Sequence, residues 1–518
     1  AREAPYKATR ATYTRRAFDV DTVPRADASI PFSSITAAAP WIPVWDAPAL
    51  AGAVEAGRTP DQGIAPIAIR TTPTGILADI VDAPPTGTSV RAPWTVSRTV
   101  AFDADERGAP VHVPIAGAAN SGDDFPIDAP LVYPGAVRHA LISDSLSHTA
   151  GTSLESFWSR LAVAWSMQNF RLLSNDLPQP HPTVIMHRDV RDRVARYTPF
   201  FAQGRSVQPL LLGDSLYWAV DLYSWSDMYP LSRHVRIVEE DRTYFRHAAV
   251  AIVQGSTGEV SIVPDAKLDP VALTWTRRLP TMFASWISLP SGIPKLLAPP
   301  IDGLIAQANA FGRYGSRIDV DAAGSIPIHD GTDPPLASDP LPFALGPTHV
   351  PAFAFPLVDD TDRLRGLLIG TGDTTRRTMW YPAPPSTPRW NAIIDHLRSV
   401  DSAGSAAREG PLAHGRVRAI PVRGGIAFMQ PTYRWRPPNI PSLNRVAFLV
   451  GDTARSVAPP VAPPGVVAPP TPTSSPTDTK SAASTFYNAM RDALRRGDWA
   501  AFGRAFDALG RVLEGKKP

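Results

Sequence analysis

The sequence predicts an α+β protein: a β-rich, proline-rich body with a few amphipathic helices, a proline-rich linker and a C-terminal helical hairpin. Three observations lead to this prediction. The chain has 57 prolines in 518 residues, which disfavours long helices and favours short strands and fixed loops. Apolar and polar residues alternate over many short stretches, as in half-buried strands. Only a few stretches show the three- and four-residue spacing of an amphipathic helix.

Composition excludes several kinds of site. Hydrophobic residues make up 44% and charged residues 19% of the chain, which is typical of a folded protein. The absence of cysteine excludes disulfides, thiolate metal sites and cysteine nucleophiles. The net charge is +3 without a basic block, so we expect no nucleic-acid binding.

The sequence contains no stretch of about 18 apolar residues, so we expect none of it to span a bilayer. It begins with Ala1 and without a leader pattern, which suggests a processed mature form or the soluble portion of something longer.

Composition also predicts four regions. Residues 1–150 are an N-terminal extended and β-rich region, in which PWIPVWDAPALAGAV and GAPVHVPIAG look like strands or extended segments interrupted by proline. Residues 151–452 are a mixed α/β core region. Residues 453–479 are a proline-rich linker that cannot form a core, and residues 480–518 are a C-terminal helical hairpin.

Periodicity predicts individual elements inside the core region. Ser153–Leu173 has apolar residues at three- and four-residue spacing and is predicted to be an amphipathic helix. The stretch VIMHRDVRDRVARYTPFF predicts a short charged helix that ends before Pro199. The stretch HAAVAIVQGSTGEVSIVPD alternates on both sides of GSTGE and predicts a β-hairpin. A further short helix is predicted at RWNAIIDHLRSV.

The tetrapeptide Gly-Asp-Ser-Leu at Ser215 matches the segment that carries the nucleophile in one class of esterases and lipases. Such enzymes place the serine on a turn between a strand and a helix, and they need a histidine three residues after an acidic residue. Ser215 instead precedes LYWAVDLYSW, a strand pattern, and the sequence contains no Asp-x-x-His. We therefore expect Ser215 to be a turn residue and the chain not to be an enzyme. A serine hydrolase using Ser215 is kept as an alternative.

The strand after Ser215 carries a candidate ligand site. Tyr217, Asp221, Tyr223 and Trp225 combine aromatic rings with one carboxylate, which is the chemistry of a sugar-binding cleft. The alternative is a cross-strand aromatic core. Alternation predicts that Leu216, Trp218, Val220 and Leu222 point to one face of this strand, and that Tyr217, Ala219, Asp221 and Tyr223 point to the other.

A candidate calcium loop runs from Asp319 to Asp330. Asp319, Asp321 and Asp330 stand at the first, third and twelfth positions of such a loop, but Ala323 occupies a ligand position. An aspartate-rich turn is the alternative. The 11 histidines are dispersed, so we expect no zinc site and no cofactor.

A series of segments in a fixed order resembles one protein family. The segments are YKATRATYTRRAFDVD, YPGAVRHAL, RLAVAWSMQNFRLLSND, HRDVRDRVARYTPFF, SLYWAVDLYSWSDMYPLS, RVRAIPVRGGIAFMQPTYRW, IPSLNRVAFLVGD and AMRDALRRGDWAAFGRAFDALGRVL. Together they resemble the bacterial uncharacterised protein family 0182 over nearly the whole chain. The resemblance implies several N-terminal transmembrane helices, a large extracytoplasmic region, a variable linker and a helical tail. It further implies that this chain is the extracytoplasmic portion, and it supplies no catalytic residues.

These observations lead to the hypothesis of a non-catalytic accessory or structural subunit on the periplasmic, extracytoplasmic face of the cytoplasmic membrane. It would dock on the subunits of a membrane protein complex, for which respiratory and photosynthetic complexes are candidates. Membrane contact would come through these partners or through a missing transmembrane segment. The alternative is an envelope glycan- or lipid-binding module that uses the strand Tyr217–Trp225.

Overall fold

The computed structural model describes residues 4–54, 66–83, 94–113, 115, 124–127, 129–136, 140–143, 151–174, 177, 181–315, 341–402, 411–436 and 439–461. Residues 1–463 form one compact unit, and residues 464–518 are assigned to a second. The predicted helical hairpin and most of the predicted linker lie outside the described residues. The α+β fold class and its richness in strands are confirmed.

The described ranges contain nine α-helices. These are α1 (Ala4–Ala17), α2 (Ile35–Ala38), α3 (Ala47–Val54), α4 (Phe157–Met167), α5 (Val190–Tyr197), α6 (Pro270–Arg278), α7 (Ile293–Leu296), α8 (Ile301–Tyr314) and α9 (Trp390–Ser402).

The strands of the described ranges form six sheets, and all pairings within them are antiparallel. The first sheet is β1 (Ile67–Thr72), β2 (Gly75–Asp82), β3 (Trp94–Val100) and β4 (Asp124–Ile127). A three-stranded sheet contains β5 (Ala140–Ser143), β6 (Thr152–Ser153) and β7 (Thr183–Met186), with β7 between the other two.

The next sheet has the order β13-β12-β9-β8, with β8 (Ala202–Leu212), β9 (Ser215–Ser226), β12 (Tyr244–Gln254) and β13 (Val260–Pro264). A small ribbon pairs β10 (Val235–Ile237) with β11 (Glu240–Arg242). Another sheet contains β14 (Phe343–Leu345), β15 (Val350–Val358), β16 (Leu364–Thr371) and β17 (Thr378–Pro382). The last contains β18 (Leu412–His414), β19 (Arg418–Val422), β20 (Gly425–Arg434), β21 (Ser442–Val450) and β22 (Thr453–Val457).

The largest hydrophobic cluster joins the first 104 residues to residues 341–449. Trp45 is fully buried and its ring stacks on Tyr433 with 5.7 Å between the centroids. The Tyr433 hydroxyl donates a hydrogen bond to the Val44 carbonyl (2.8 Å) and accepts one from the Asp46 N–H (2.8 Å). The boundary predicted near residue 150 therefore lies inside one compact unit.

The N-terminal region is more helical than the sequence predicts. Residues 4–17 form α1, and the stretch predicted to be extended around Trp45 contains a 3₁₀ turn at Ala39–Trp41 followed by α3. Pro48 is the second residue of α3, where a missing N–H leaves no hydrogen bond unmade. Proline at such a position permits a helix, so the prediction of an extended segment was wrong here.

The predicted helix Ser153–Leu173 is shorter in the structure. Ser156 caps α4, with its side-chain oxygen accepting from the Ser159 N–H, and α4 ends at Gln168, whose φ is 51°. A 3₁₀ turn follows at Phe170–Leu173. The predicted charged helix, hairpin and short helix are confirmed as α5, β12–β13 and α9. Helix α8 was not predicted.

The predicted linker begins too early. Thr453–Val457 pair with β21 as strand β22, although the sequence assigned them to the linker. Beyond β22, the Val461 N–H donates to Asp103 Oδ1 at 2.6 Å. The alternation Thr-Ala-Arg-Ser-Val is enough for an edge strand, and the proline-rich composition starts only after it.

Candidate functional site

Strand β9 has the two faces that the sequence predicts. Leu216, Trp218, Val220 and Leu222 are all buried in one hydrophobic cluster with residues of β12 and α5. On the other face, Ala219 and Tyr217 pack with α7, whereas Tyr223 packs with α8. The strand is therefore covered on both sides, which leaves no open aromatic groove along it.

The four predicted ligand residues do not form one cleft. Tyr223 is fully buried, its ring stacks on Phe245 at 4.2 Å, and its hydroxyl accepts from the Gly303 N–H at 3.2 Å. Trp225 is 40% exposed, but the guanidinium of Arg242 lies 3.9 Å from its ring centroid. Asp221 lines the wall of a cavity. Tyr223 therefore lies in an aromatic core, which was the alternative to a ligand site.

Asp221 instead belongs to a buried charge cluster, which we define as Asp221, His247, Asp265 and Arg376. Arg376 Nη1 donates to Asp221 Oδ1 at 2.6 Å, and His247 Nδ1 lies 2.6 Å from Asp265 Oδ2. The His247 Nε2 atom lies 3.1 Å from Asp221 Oδ1 and 2.7 Å from Arg376 Nη1. A neutral His247 accepts from Arg376 through Nε2, whereas a protonated His247 donates from Nε2 to Asp221.

The fold brings these four side chains together from four separate segments. Asp221 and His247 stand on the neighbouring strands β9 and β12, where a β-bulge after His247 shifts the register. Asp265 follows β13, and Arg376 lies in the turn between β16 and β17. The side chain of Arg376 is only 3% exposed and that of His247 9%.

Mutual attraction controls the ionisation of the cluster. Burial opposes the charged form of Asp221, but Arg376 and His247 outweigh it and lower the pKa of Asp221 to about 2. Burial likewise disfavours a charged His247, but the carboxylate of Asp265 raises the pKa of this histidine above its usual value. When His247 is protonated, two cations face two anions and the cluster is neutral, which reduces the cost of burying it.

Two cavities adjoin the cluster. The larger has a volume of about 590 Å³ and is lined mainly by apolar side chains, with Asp221 at its wall. The smaller has a volume of about 230 Å³ and is lined by His247, Asp265 and Arg376 together with other charged residues. The Asp221–Arg376 ion pair therefore connects the walls of the two cavities.

Ser215 lies directly after the predicted turn and not within it. It is the first residue of β9, and Gly213 before it has a φ of 64° in the turn from β8. The Ser215 hydroxyl donates to the Asp214 carboxylate at 3.4 Å. The buried histidine of this sheet, His247, uses its two nitrogens for the charge cluster.

The metal prediction is not addressed by the structure, because Asp319, Asp321 and Asp330 lie outside the described residues. Among the residues that are described, no group of three or more His, Asp or Glu side chains has the arrangement of a metal site. Asp221 and Asp265 hydrogen-bond to opposite nitrogens of His247, so the three side chains do not converge on a common point.

Helix α4 presents an exposed aromatic surface, which we call the α4 surface. It consists of Phe157, Trp158 and Trp165 of the helix and Phe170 of the following turn, with exposed fractions of 61%, 75%, 67% and 51%. The rings contact one another in pairs, Phe157 with Trp158 at 5.6 Å and Trp165 with Phe170 at 6.2 Å. The sequence predicted an amphipathic helix here, and Val163 and Ala164 are the residues that this helix buries.

Three of the four cluster residues were missed by the sequence analysis. The predicted β12–β13 hairpin puts His247 and Asp265 near its open end, and pairing β12 with β9 would have placed His247 beside Asp221. Arg376 is 155 residues from Asp221 in sequence, and no pattern in the sequence connects the two.

Comparison with known sequences agrees with the resemblance noted above. The sequence profile of the uncharacterised protein family UPF0182 matches residues 136–317, which include α4, β9, the β12–β13 hairpin and α8. The chain is 23% identical over 407 residues to a UPF0182 protein of Pelotomaculum thermopropionicum and 22% identical over 424 residues to one of Moorella thermoacetica. It is 27% identical over 184 residues to one of a Synechococcus strain. Residues 136–317 therefore carry the sequence pattern of the UPF0182 family, and the chain is similar to members of that family.

The matches cover 70%, 74% and 36% of this chain, but only 43%, 46% and 21% of the three relatives. The chain thus spans less than half the length of the curated relatives it matches. No solved structure matches it. No helix of the described residues is long and apolar enough to cross a membrane.

Proposed function

We propose that this chain is a non-catalytic subunit that docks on a membrane protein complex at the extracytoplasmic face of the membrane. The observation that carries the proposal is the α4 surface, where four large aromatic side chains are more than half exposed within 14 residues. Contiguous exposed apolar surface marks interaction sites, and tryptophan is enriched among the residues that dominate binding energy at interfaces. The partner expected here is an apolar protein surface.

The arrangement of α4 favours a docking role over a structural one. Its inner side already packs through Val163 and Ala164 against the cluster around Leu154 and Leu172. The outward aromatic rings therefore add little to the stability of the fold. A partner protein can bury them when it binds. A non-catalytic role is supported by Ser215, whose hydroxyl is bonded to Asp214 and not to a histidine.

The test is co-purification from native membranes in mild detergent, with partners quantified by mass spectrometry. Trp158→Ser combined with Trp165→Ser is expected to reduce recovery of a stoichiometric membrane partner at least about tenfold, because hot-spot truncations cost upwards of about 2 kcal/mol. Ile287→Ser is the matched control, since Ile287 is 95% exposed outside the α4 surface. A wild-type chain without any membrane-protein partner, or equal recovery with both variants, would contradict the proposal.

Deletion of residues 462–518 tests whether the predicted proline-rich linker and helical tail take part in docking. This truncation retains β22 and the bond of Val461 to Asp103. We expect weaker co-purification of the same partner and an unchanged unfolding midpoint of the body. Unchanged co-purification would show that docking does not use the deleted segment.

A lipid-binding module is the second candidate, and the larger cavity favours it. This cavity of about 590 Å³ is lined by apolar side chains such as Leu297, Ile301 and Phe353, as expected for an acyl chain. Ala298→Phe would occupy the space and is expected to abolish displacement of a dansylated fatty acid. Absence of any saturable binding of this probe to the wild type would exclude the candidate.

A further inference from the structure

The smaller cavity is lined by two residues whose side chains carry buried polar atoms without partners. Arg376 and Asp265 both line this cavity of about 230 Å³. The Nε and Nη2 atoms of Arg376 and the Oδ1 atom of Asp265 are buried without a hydrogen-bond partner among the described residues. Buried polar atoms that stay unpaired are costly, and a charged guanidinium is the costliest kind. A molecule in the cavity is the nearest source of the missing partners.

The unpartnered atoms of Arg376 define the chemistry of that molecule. Nη1 is already engaged by Asp221 and His247, which fixes the guanidinium plane. The remaining Nε and Nη2 atoms form the side-on edge of a guanidinium, whose two parallel N–H groups match two oxygens of a carboxylate or phosphate. The orphan Oδ1 of Asp265 requires a donor instead, such as a hydroxyl or ammonium group.

The charged residues around the smaller cavity favour an anion as its ligand. Arg246 and Lys267 are paired with Asp19, and Asp269 caps α6 through the N–H groups of Val271 and Ala272. Arg377, which also lines the cavity, has no carboxylate partner in the described part of the chain. Its Nε atom donates only to the Thr375 hydroxyl, at 3.3 Å.

The start of α8 also borders the cavity, through Pro300 and Gly303. The Gly303 N–H already donates to the Tyr223 hydroxyl, and Asp302 stands in the first turn of the helix, so the preference for an anion comes from the arginines. A volume of about 230 Å³ suits a small metabolite.

We propose that this cavity binds a small molecule carrying an oxyanion, either a carboxylate or a phosphate, on the Nε–Nη2 edge of Arg376. A hydroxyl or ammonium group of the same molecule donates to Oδ1 of Asp265, and Arg377 adds a second cation at the site. This role is separate from the α4 surface and from the proposed docking.

The experiment titrates the full chain with lactate, acetate and inorganic phosphate, using calorimetry and the shift in thermal midpoint. Lactate has both a carboxylate and a hydroxyl group, acetate lacks the hydroxyl, and phosphate tests the other oxyanion. We expect saturable binding of lactate or phosphate, and binding of lactate at least tenfold tighter than that of acetate if the site takes carboxylates. Tighter binding of phosphate than of lactate would assign the site to phosphorylated ligands.

Two substitutions locate the binding. Arg376→Lys retains a cation for Asp221 but removes the side-on edge, and we expect it to abolish binding. Arg377→Ala changes an exposed residue that the fold does not require, and we expect it to weaken binding at least fivefold. Arg423→Ala, an exposed arginine in the turn between β19 and β20, is the matched control and leaves the affinity unchanged.

Either of two results would overturn the proposal. One is the absence of saturable binding of lactate and of phosphate, which would mean that the cavity holds ordered water only. The other is equal affinity in the wild type and the Arg377→Ala variant. If Arg376→Lys does not fold, Arg377→Ala decides alone.

Discussion

At the scale of single residues, the buried charge cluster determines how stability depends on pH. The pKa of His247 is raised in the folded protein, so its contribution is complete below the unfolded value of about 6.5 and is lost as the pH rises through the folded pKa. The lowered pKa of Asp221 has the opposite effect. Its contribution is present above the ordinary value of 3.8 and is lost as the pH falls towards about 2.

We therefore expect the wild type to lose stability relative to His247→Gln as the pH rises from about 6.5 through the raised pKa of His247, by about 1.4 kcal/mol for each unit of pKa difference. The measurement is the free energy of unfolding in urea at several pH values. His181→Gln serves as the control, because the His181 side chain is 60% exposed and its partner Glu155 is exposed too. A difference between wild type and His247→Gln that does not change with pH would show that His247 binds no extra proton on folding.

The same residues show what the sequence reveals about a site. Asp221 was predicted to be a ligand residue because a carboxylate stands among aromatic residues. In the structure it belongs to the buried charge cluster. Tyr223 was selected by the same pattern, yet a fully buried ring on Phe245 gives the same alternation as a ring in a cleft. Alternation indicates on which face of the strand a side chain lies. It does not indicate whether α8 covers that face, because this depends on tertiary packing.

At the scale of elements, glycines allow β16 to approach the connection between α7 and α8. A Cβ atom at Gly372, just after β16, would lie 2.0 Å from the carbonyl oxygen of Leu297. Gly370 is also close, since its Cβ would lie 2.8 Å from a methyl carbon of Leu304. Backbone atoms of both elements thus meet where a side chain cannot fit.

Gly372→Ala is expected to destabilise the protein by about 1–3 kcal/mol or more, because the contact at Leu297 is with backbone and cannot be relieved by a rotamer change. The control is Gly425→Ala, where the nearest atom to the new Cβ, Pro384 Cγ, is 3.8 Å away. Chemical denaturation measures both variants. Equal midpoints for the two would mean that β16 is free to move away from Leu297.

Elements with a strong pattern in their own sequence were predicted well. Features that depend on tertiary contacts were not. The β12–β13 hairpin follows from alternation on both sides of a turn, and α5 from a charged stretch that ends before Pro199. The outward face of α4 was not predictable, because a helix with aromatic residues on one side has the same periodicity whether that side meets a core or solvent. Helix α3 was missed because Pro48 was taken as a helix breaker.

At the scale of the whole molecule, the body depends on contacts between distant parts of the chain. The largest hydrophobic cluster contains α3 and β2 on one side and β20, β21 and α9 on the other. Asp46 forms an ion pair with Arg418 at 2.9 Å inside this cluster, and the two side chains are 1% and 10% exposed. Composition alone suggested a boundary near residue 150 because it does not report such contacts.

A fragment of residues 151–463 is therefore expected not to fold cooperatively. It would expose the side chains that pack on Trp45 and would leave Arg418 without Asp46, and a buried ion pair that loses one partner costs about 3–5 kcal/mol. Hydrogen exchange of β20 and β21 measures this, with residues 1–463 as the reference. Equal protection in the two proteins would show that the N-terminal region is dispensable for folding.

The interleaved core also has a consequence for the synthesis of the protein. At about 5–20 residues per second, a ribosome needs roughly 20–70 s to proceed from residue 104, where the N-terminal part of the large cluster ends, to residue 449, its last buried member. Throughout that interval Trp45, Leu50 and Ile80 have emerged without the side chains that will cover them. We therefore expect the nascent chain to bind chaperones until nearly the whole body has been translated.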